Sequence, residues 1–115
     1  MRQLAFGAAL ATIAAALVVP GLAPAAARKN TRIGTDGPGF TITMSKQTVK
    51  AGTYTIVVHD KSNIHNFHLI GPGVNKKTSL AAVATTTWKV TLKKGIYKFV
   101  CDPHASVMKG VLRVS

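Results

Sequence analysis

The sequence predicts an all-β domain, a sandwich or small barrel of six or seven short strands, and three observations carry that prediction. Apolar residues from about residue 40 onward recur with a period of two. The runs are rich in β-branched and aromatic residues, and Gly, Pro and Lys-Gly turns bound them. Helical periodicity is nearly absent, which leaves the sandwich or the small barrel as the architectures that can bury one face of each strand.

The elements follow in order. Residues 28–38, RKNTRIGTDGP, are polar and turn-rich, and read as a lead-in that holds a short first strand. Phe40, Ile42 and Met44 alternate with Thr41 and Thr43. After the Ala51-Gly52 turn, Tyr54, Ile56 and Val58 share one face of a second run. NIHNFHLI alternates over 64–70 and stops at Gly71-Pro72-Gly73. NKKTSLAAVATTT reads as a loop or a single helical turn. TTTWKVTL then places Trp88, Val90 and Leu92 on one face, and IYKFVC and KGVLRVS are the last two strands. Tyr54, Phe67, Trp88 and Phe99 are the expected core aromatics.

Residues 1–27 do not belong to this domain. Arg2 gives a positive start, Leu4 to Val19 are apolar, Pro20-Gly21 break the run, and Ala25-Ala26-Ala27 offers the small residues of a cleavage site. The apolar run is short for a membrane span, which needs about 20 residues. The expectation is a signal peptide over 1–27, a lead-in over 28–38, a functional domain over 39–115, and an exported protein, periplasmic or at the cell surface. A retained N-terminal anchor is the alternative.

With Arg2 removed, fourteen basic side chains stand against Asp36, Asp60 and Asp102, a formal charge near +11. Such a balance attracts acidic proteins or anionic surfaces and says nothing about fold. The bases are scattered and form no recognisable nucleic-acid module, so nucleic acid is not an expected partner. Cys101 is the one cysteine, and it cannot form an internal disulfide. In an exported chain an odd cysteine is reserved for an intermolecular bond or for chemistry.

Its neighbours point to chemistry. In FVCDPHASVMKG, Cys101 closes a strand, His104 follows three residues later and Met108 four after that. Thiolate, imidazole and thioether are soft ligands that suit copper better than calcium or magnesium. A second imidazole is needed, and SNIHNFHL offers His65, with His68 as its rival on the other strand face; His59 and His68 read as surface histidines.

These segments resemble the cupredoxins, the plastocyanin- and azurin-like blue copper proteins. The resemblance runs from about Phe40 to Ser115 through AGTYTIVVHD, HNFHLIGPGV, WKVTLKKG and the C-terminal loop. It implies a Greek-key β-sandwich with one type 1 copper held by His65, Cys101, His104 and Met108. It implies further that Asn66 and the residue after the cysteine, here Asp102, tie the two ligand loops together. Asp102 departs from the commoner Ser or Thr. It also puts the GPG loop near the metal end, where Pro72, Pro103, Ala105 and Val107 would form an apolar rim around His104. A His2Cys plane with a weak axial Met takes up Cu(I) and Cu(II) with little rearrangement and leaves no open position for a substrate. The expected function is therefore single-electron transfer between redox proteins with acidic docking surfaces, by a monomer that is not an enzyme. Copper trafficking without redox turnover is the second reading, and a cationic domain that binds acidic surfaces is the third. An oxidase would need more histidine clusters than four histidines provide.

Overall fold

The computed structural model describes residues 30–115, and the expected signal peptide lies outside them. Among the described residues, nine strands form two sheets: β1 (Thr31–Asp36), β2 (Ile42–Met44), β3 (Thr48–Val49), β4 (Gly52–Asp60), β5 (His68–Gly71), β6 (Val74–Lys77), β7 (Ala84–Leu92), β8 (Gly95–Val100) and β9 (Lys109–Val114). Among the described residues the one helical element is a 3-10 turn, Asp102–His104. The four-stranded sheet runs β2-β1-β4-β7 and the five-stranded sheet β3-β9-β8-β5-β6. The chain crosses between sheets after β2, β3, β4, β6 and β7, which gives the Greek-key sandwich.

The alternation seen in the sequence becomes burial. Along β4 the pattern places Tyr54, Ile56 and Val58 inside, and along β8 it places Tyr97 and Phe99 inside. Phe67 stacks on Phe99 with centroids 5.8 Å apart and planes 4° apart, and Trp88 packs on the margin of this core. Such offset aromatic pairs add about 0.5–1.5 kcal/mol beyond the area they bury. Room for the Phe99 ring comes from Gly110 on the facing strand, where an added Cβ would lie 2.1 Å from it.

The lead-in segment does more than precede the domain. β1 lies inside the four-stranded sheet, antiparallel to β2 and parallel to β4 over Thr31↔Thr55 to Asp36↔Asp60. Gly34 in β1 leaves space for Phe67, whose ring would sit 2.7 Å from a Cβ there. The segment 78–83 is an irregular connection without a helical turn.

β8 sets the polarity of the molecule. It runs from Gly95 to Val100 and delivers Cys101 to one end of the sandwich, and β4 ends beside it at Asp60. β5 starts at this end, since His68 pairs with Val100, and runs away from it. The Gly71-Pro72-Gly73 turn therefore sits at the opposite end, where the Tyr97 hydroxyl donates to the Pro72 carbonyl at 2.6 Å. The expectation that this loop flanks the metal is corrected: the strand before it carries the chain away from Cys101.

Candidate metal centre

Two loops build the site. One follows β4 and holds His65, Asn66 and Phe67, all buried. The other runs from Cys101 to Met108 between β8 and β9. Its shape follows from its own backbone: the Cys101 N–H donates to the Met108 carbonyl at 3.0 Å and closes the loop. The His104 N–H donates to the Cys101 carbonyl at 3.1 Å, and the Met108 N–H to the His104 carbonyl at 2.8 Å. The spacing Cys-x2-His-x3-Met is thus one 3-10 turn followed by one wider turn, and Pro103 fixes φ at the start.

This folding brings three donor atoms face to face. The Nδ1 atoms of His65 and His104 are 3.0 Å apart, and Cys101 Sγ lies 3.7 Å from the first and 3.5 Å from the second. A point equidistant from the three atoms lies about 2.0 Å from each, within the range of metal–nitrogen bonds and slightly under that of metal–sulfur bonds. Two neutral imidazoles that aim ring nitrogens at one another and at a thiol need a proton or a cation between them. Cys101 and His65 are fully buried, and His104 is half-buried. The donor set of two imidazoles and one thiolate fits copper. Met108 is also fully buried, at the end of the same loop.

A hydrogen-bonded bracket locks the two loops together. The Asn66 side chain donates to Asp102 Oδ2 at 2.8 Å and accepts from the Asp102 N–H at 2.8 Å. The Phe67 N–H donates to Thr78 Oγ1 at 2.9 Å. These partners let Asn66 and Phe67 be buried in succession, so the strict alternation expected over 64–70 does not hold and β5 begins only at His68. His65 and His68 are separated by a loop rather than by the pleat of one strand. His68 is satisfied elsewhere: Nδ1 lies 2.7 Å from Asp102 Oδ1, and Nε2 lies 2.7 Å from Asn75 Oδ1. Partial burial alone would raise the Asp102 carboxyl. Hydrogen bonds from His68 and Asn66, with the charges of His68 and Lys77, outweigh it and hold Asp102 below the usual carboxylate range. His59 meets Thr85 Oγ1 at 3.1 Å on the outside of the four-stranded sheet.

Phe40 belongs to the site and was not among the expected site residues. Alternation read it into a strand with Ile42 and Met44, but β2 starts at Ile42. Phe40 instead projects from the β1–β2 loop, with its ring centroid 5.1 Å from His65 and 5.0 Å from His104, edge-on to both. It remains 59% exposed, so part of the ring covers the histidines and the rest meets solvent. Exposed Val107 and Ile64 occur in the two ligand loops.

The family model for the cupredoxin-like domain matches residues 8–114. This chain belongs to the cupredoxin-like family. Solved structures share its fold. Auracyanin from Roseiflexus castenholzii superposes with a TM-score of 0.55 at 20% identity, over 75% of this chain and 97% of that one. Auracyanin A, a blue copper protein from Chloroflexus aurantiacus, gives 0.53 at 19% identity, over 74% and 98%. Reduced rusticyanin gives 0.57 at 20% identity, over 74% and 78%. No curated protein sequence matches the chain. The cupredoxin metal is copper, and His65, Cys101 and His104 are placed to form its site.

Proposed function

We propose that this cupredoxin carries single electrons between protein partners outside the cytoplasm, through one type 1 copper that His65, Cys101 and His104 would hold, with Met108 as a further, weak sulfur donor. The observation that carries the reading is the triangle of Nδ1, Nδ1 and Sγ, fixed by short loops whose backbone and side-chain hydrogen bonds are already made. Bound copper supplies a one-electron couple. The protein supplies constraint: the Cys101–Met108 backbone closure and the Asn66–Asp102 bracket resist movement of the donors, so little rearrangement accompanies a change of charge. Buried Cys101 and His65 keep water from the sulfur, and half-buried His104 beside Phe40 offers the short route to a partner. No helix among the described residues is long and apolar enough to cross a membrane. The export reading rests on residues 1–27 of the sequence.

Redox titration of the copper-loaded chain tests this. The expected result is one electron per chain, with repeated cycles that lose no copper. A colourless protein that holds only Cu(I) would instead make it a copper carrier.

A further inference from the structure

The outer face of the five-stranded sheet combines basic and aliphatic side chains. Cross-strand pairing fixes which side chains share it. One row reads Lys77, His68, Val100, Lys109, and the next reads Asn75, Ile70, Lys98, Val111. Ile96 and Arg113 pair beyond them. Lysines and arginine thus interleave with β-branched aliphatics, and Ile70, Ile96 and Val111 are 39%, 49% and 36% exposed. Nothing on the face neutralises this charge except at its margin. The chain has three acidic side chains; Asp36 and Asp60 are buried, and Asp102 is engaged by His68 and Asn66. The outer face of the four-stranded sheet is mostly threonine (Thr35, Thr55, Thr85, Thr87, Thr91), with Ile33, Val57 and His59 among them and Lys89 as its one lysine.

We infer that the face built by β6, β5, β8 and β9 docks on an anionic membrane surface. Charge complementarity names the sign of the partner, and residue type names its class. Protein interfaces are depleted in lysine and rich in aromatic anchors, and this face has lysines and no Phe, Tyr or Trp. Lysine stems lying beside Ile and Val, with ammonium groups free to reach outward, suit the headgroup boundary of a bilayer. A shallow depression between Lys98, Val100, Ala105, Lys109 and Val111 offers a seat for a lipid phosphate between two ammonium groups. Docked on this face, the sandwich lies with its strands along the membrane, and the His104–Phe40 end points sideways to partners in the same plane. The inference does not rest on the redox reading, because the face is complete without copper.

Flotation of the full chain, with and without copper, on vesicles of phosphatidylcholine containing about one-third phosphatidylglycerol tests it. Lys98→Glu with Lys109→Glu should weaken binding at least about tenfold. The charge-matched control, Lys61→Glu with Lys89→Glu, whose residues follow β4 and lie on β7 of the other sheet, should weaken it several-fold less, and Ile70→Ser with Val111→Ser should lower the binding that survives high salt. Far-UV circular dichroism of each variant separates loss of binding from loss of fold. Equal losses in the two charge variants would reduce the effect to net charge and overturn the proposal. So would equal binding to pure phosphatidylcholine, which would assign binding to the apolar N-terminal segment. Poly-glutamate binding that Lys98→Glu with Lys109→Glu abolishes, while vesicle binding stays intact, would assign the face to an acidic protein instead.

Discussion

At His65 the imidazole is fully buried, its Nε2 has no hydrogen-bond partner among the described residues, and its Nδ1 faces His104 and Cys101. At His68 both ring nitrogens are engaged, by Asp102 and Asn75. His65→Ala should therefore remove the blue colour, whereas His68→Ala should keep it. The second variant still has a cost: it frees Asp102 from one charge-assisted bond, worth about 1 kcal/mol for so exposed a pair. Visible spectra and urea midpoints of both variants check this, and colour lost only in the His68 variant would reverse the assignment. Met108→Leu should keep copper and raise the reduction potential, because loss of a weak sulfur donor destabilises Cu(II) more than Cu(I). Voltammetry that shows no change would leave Met108 as core packing. The loop residues were legible because their spacing along the chain sets one turn and then another. Phe40 was not, since it reaches the histidines across a β1–β2 loop whose path no local pattern encodes.

The strands place a second titratable group where no local pattern points to it. Asp36 and Asp60 are the last registered pair of the parallel β1–β4 ladder, and both are buried. Asp60 accepts hydrogen bonds from the Ser62 N–H and from Thr78 Oγ1, and so holds the start of the His65 loop. Burial first, and then the adjoining Asp60 carboxyl, push Asp36 up to about 7 from its ordinary 3.8. The folded chain thus binds a proton that the unfolded chain releases. Its contribution to stability is complete below about pH 4, declines as pH rises, and is gone above about 7, a change on the order of 2–4 kcal/mol. Asp36→Asn should flatten that slope, measured as urea midpoints from pH 4 to 8; an unchanged slope would place the titration elsewhere. Sequence alternation recovered strand faces but not this pair, because pairing between β1 and β4 joins residues twenty-four apart. The same limit misplaced the GPG turn: strand direction relative to Cys101 is a property of the sheet, and β5 begins at His68 rather than Ile64.

Across the whole molecule, fifteen basic residues act against three aspartates, two of them buried. Lys77 pairs with His68 beside the ligand loops, so part of this charge lies at the metal end. Electron transfer with an acidic partner should slow steeply with salt, as the Debye length falls from about 30 Å at 0.01 M to about 10 Å at 0.1 M. Lys76→Glu with Lys77→Glu should slow it at low salt and flatten the dependence. Stopped-flow rates that ignore ionic strength would remove steering from the account. The central claim concerns the metal site itself, and the visible spectrum of the copper-loaded chain beside that of Cys101→Ser tests it most directly. The account predicts an intense blue thiolate-to-Cu(II) band in the native protein and its absence in the serine variant, whose alcohol stays protonated while the β-sandwich remains folded. A serine variant that stayed intensely blue would contradict it.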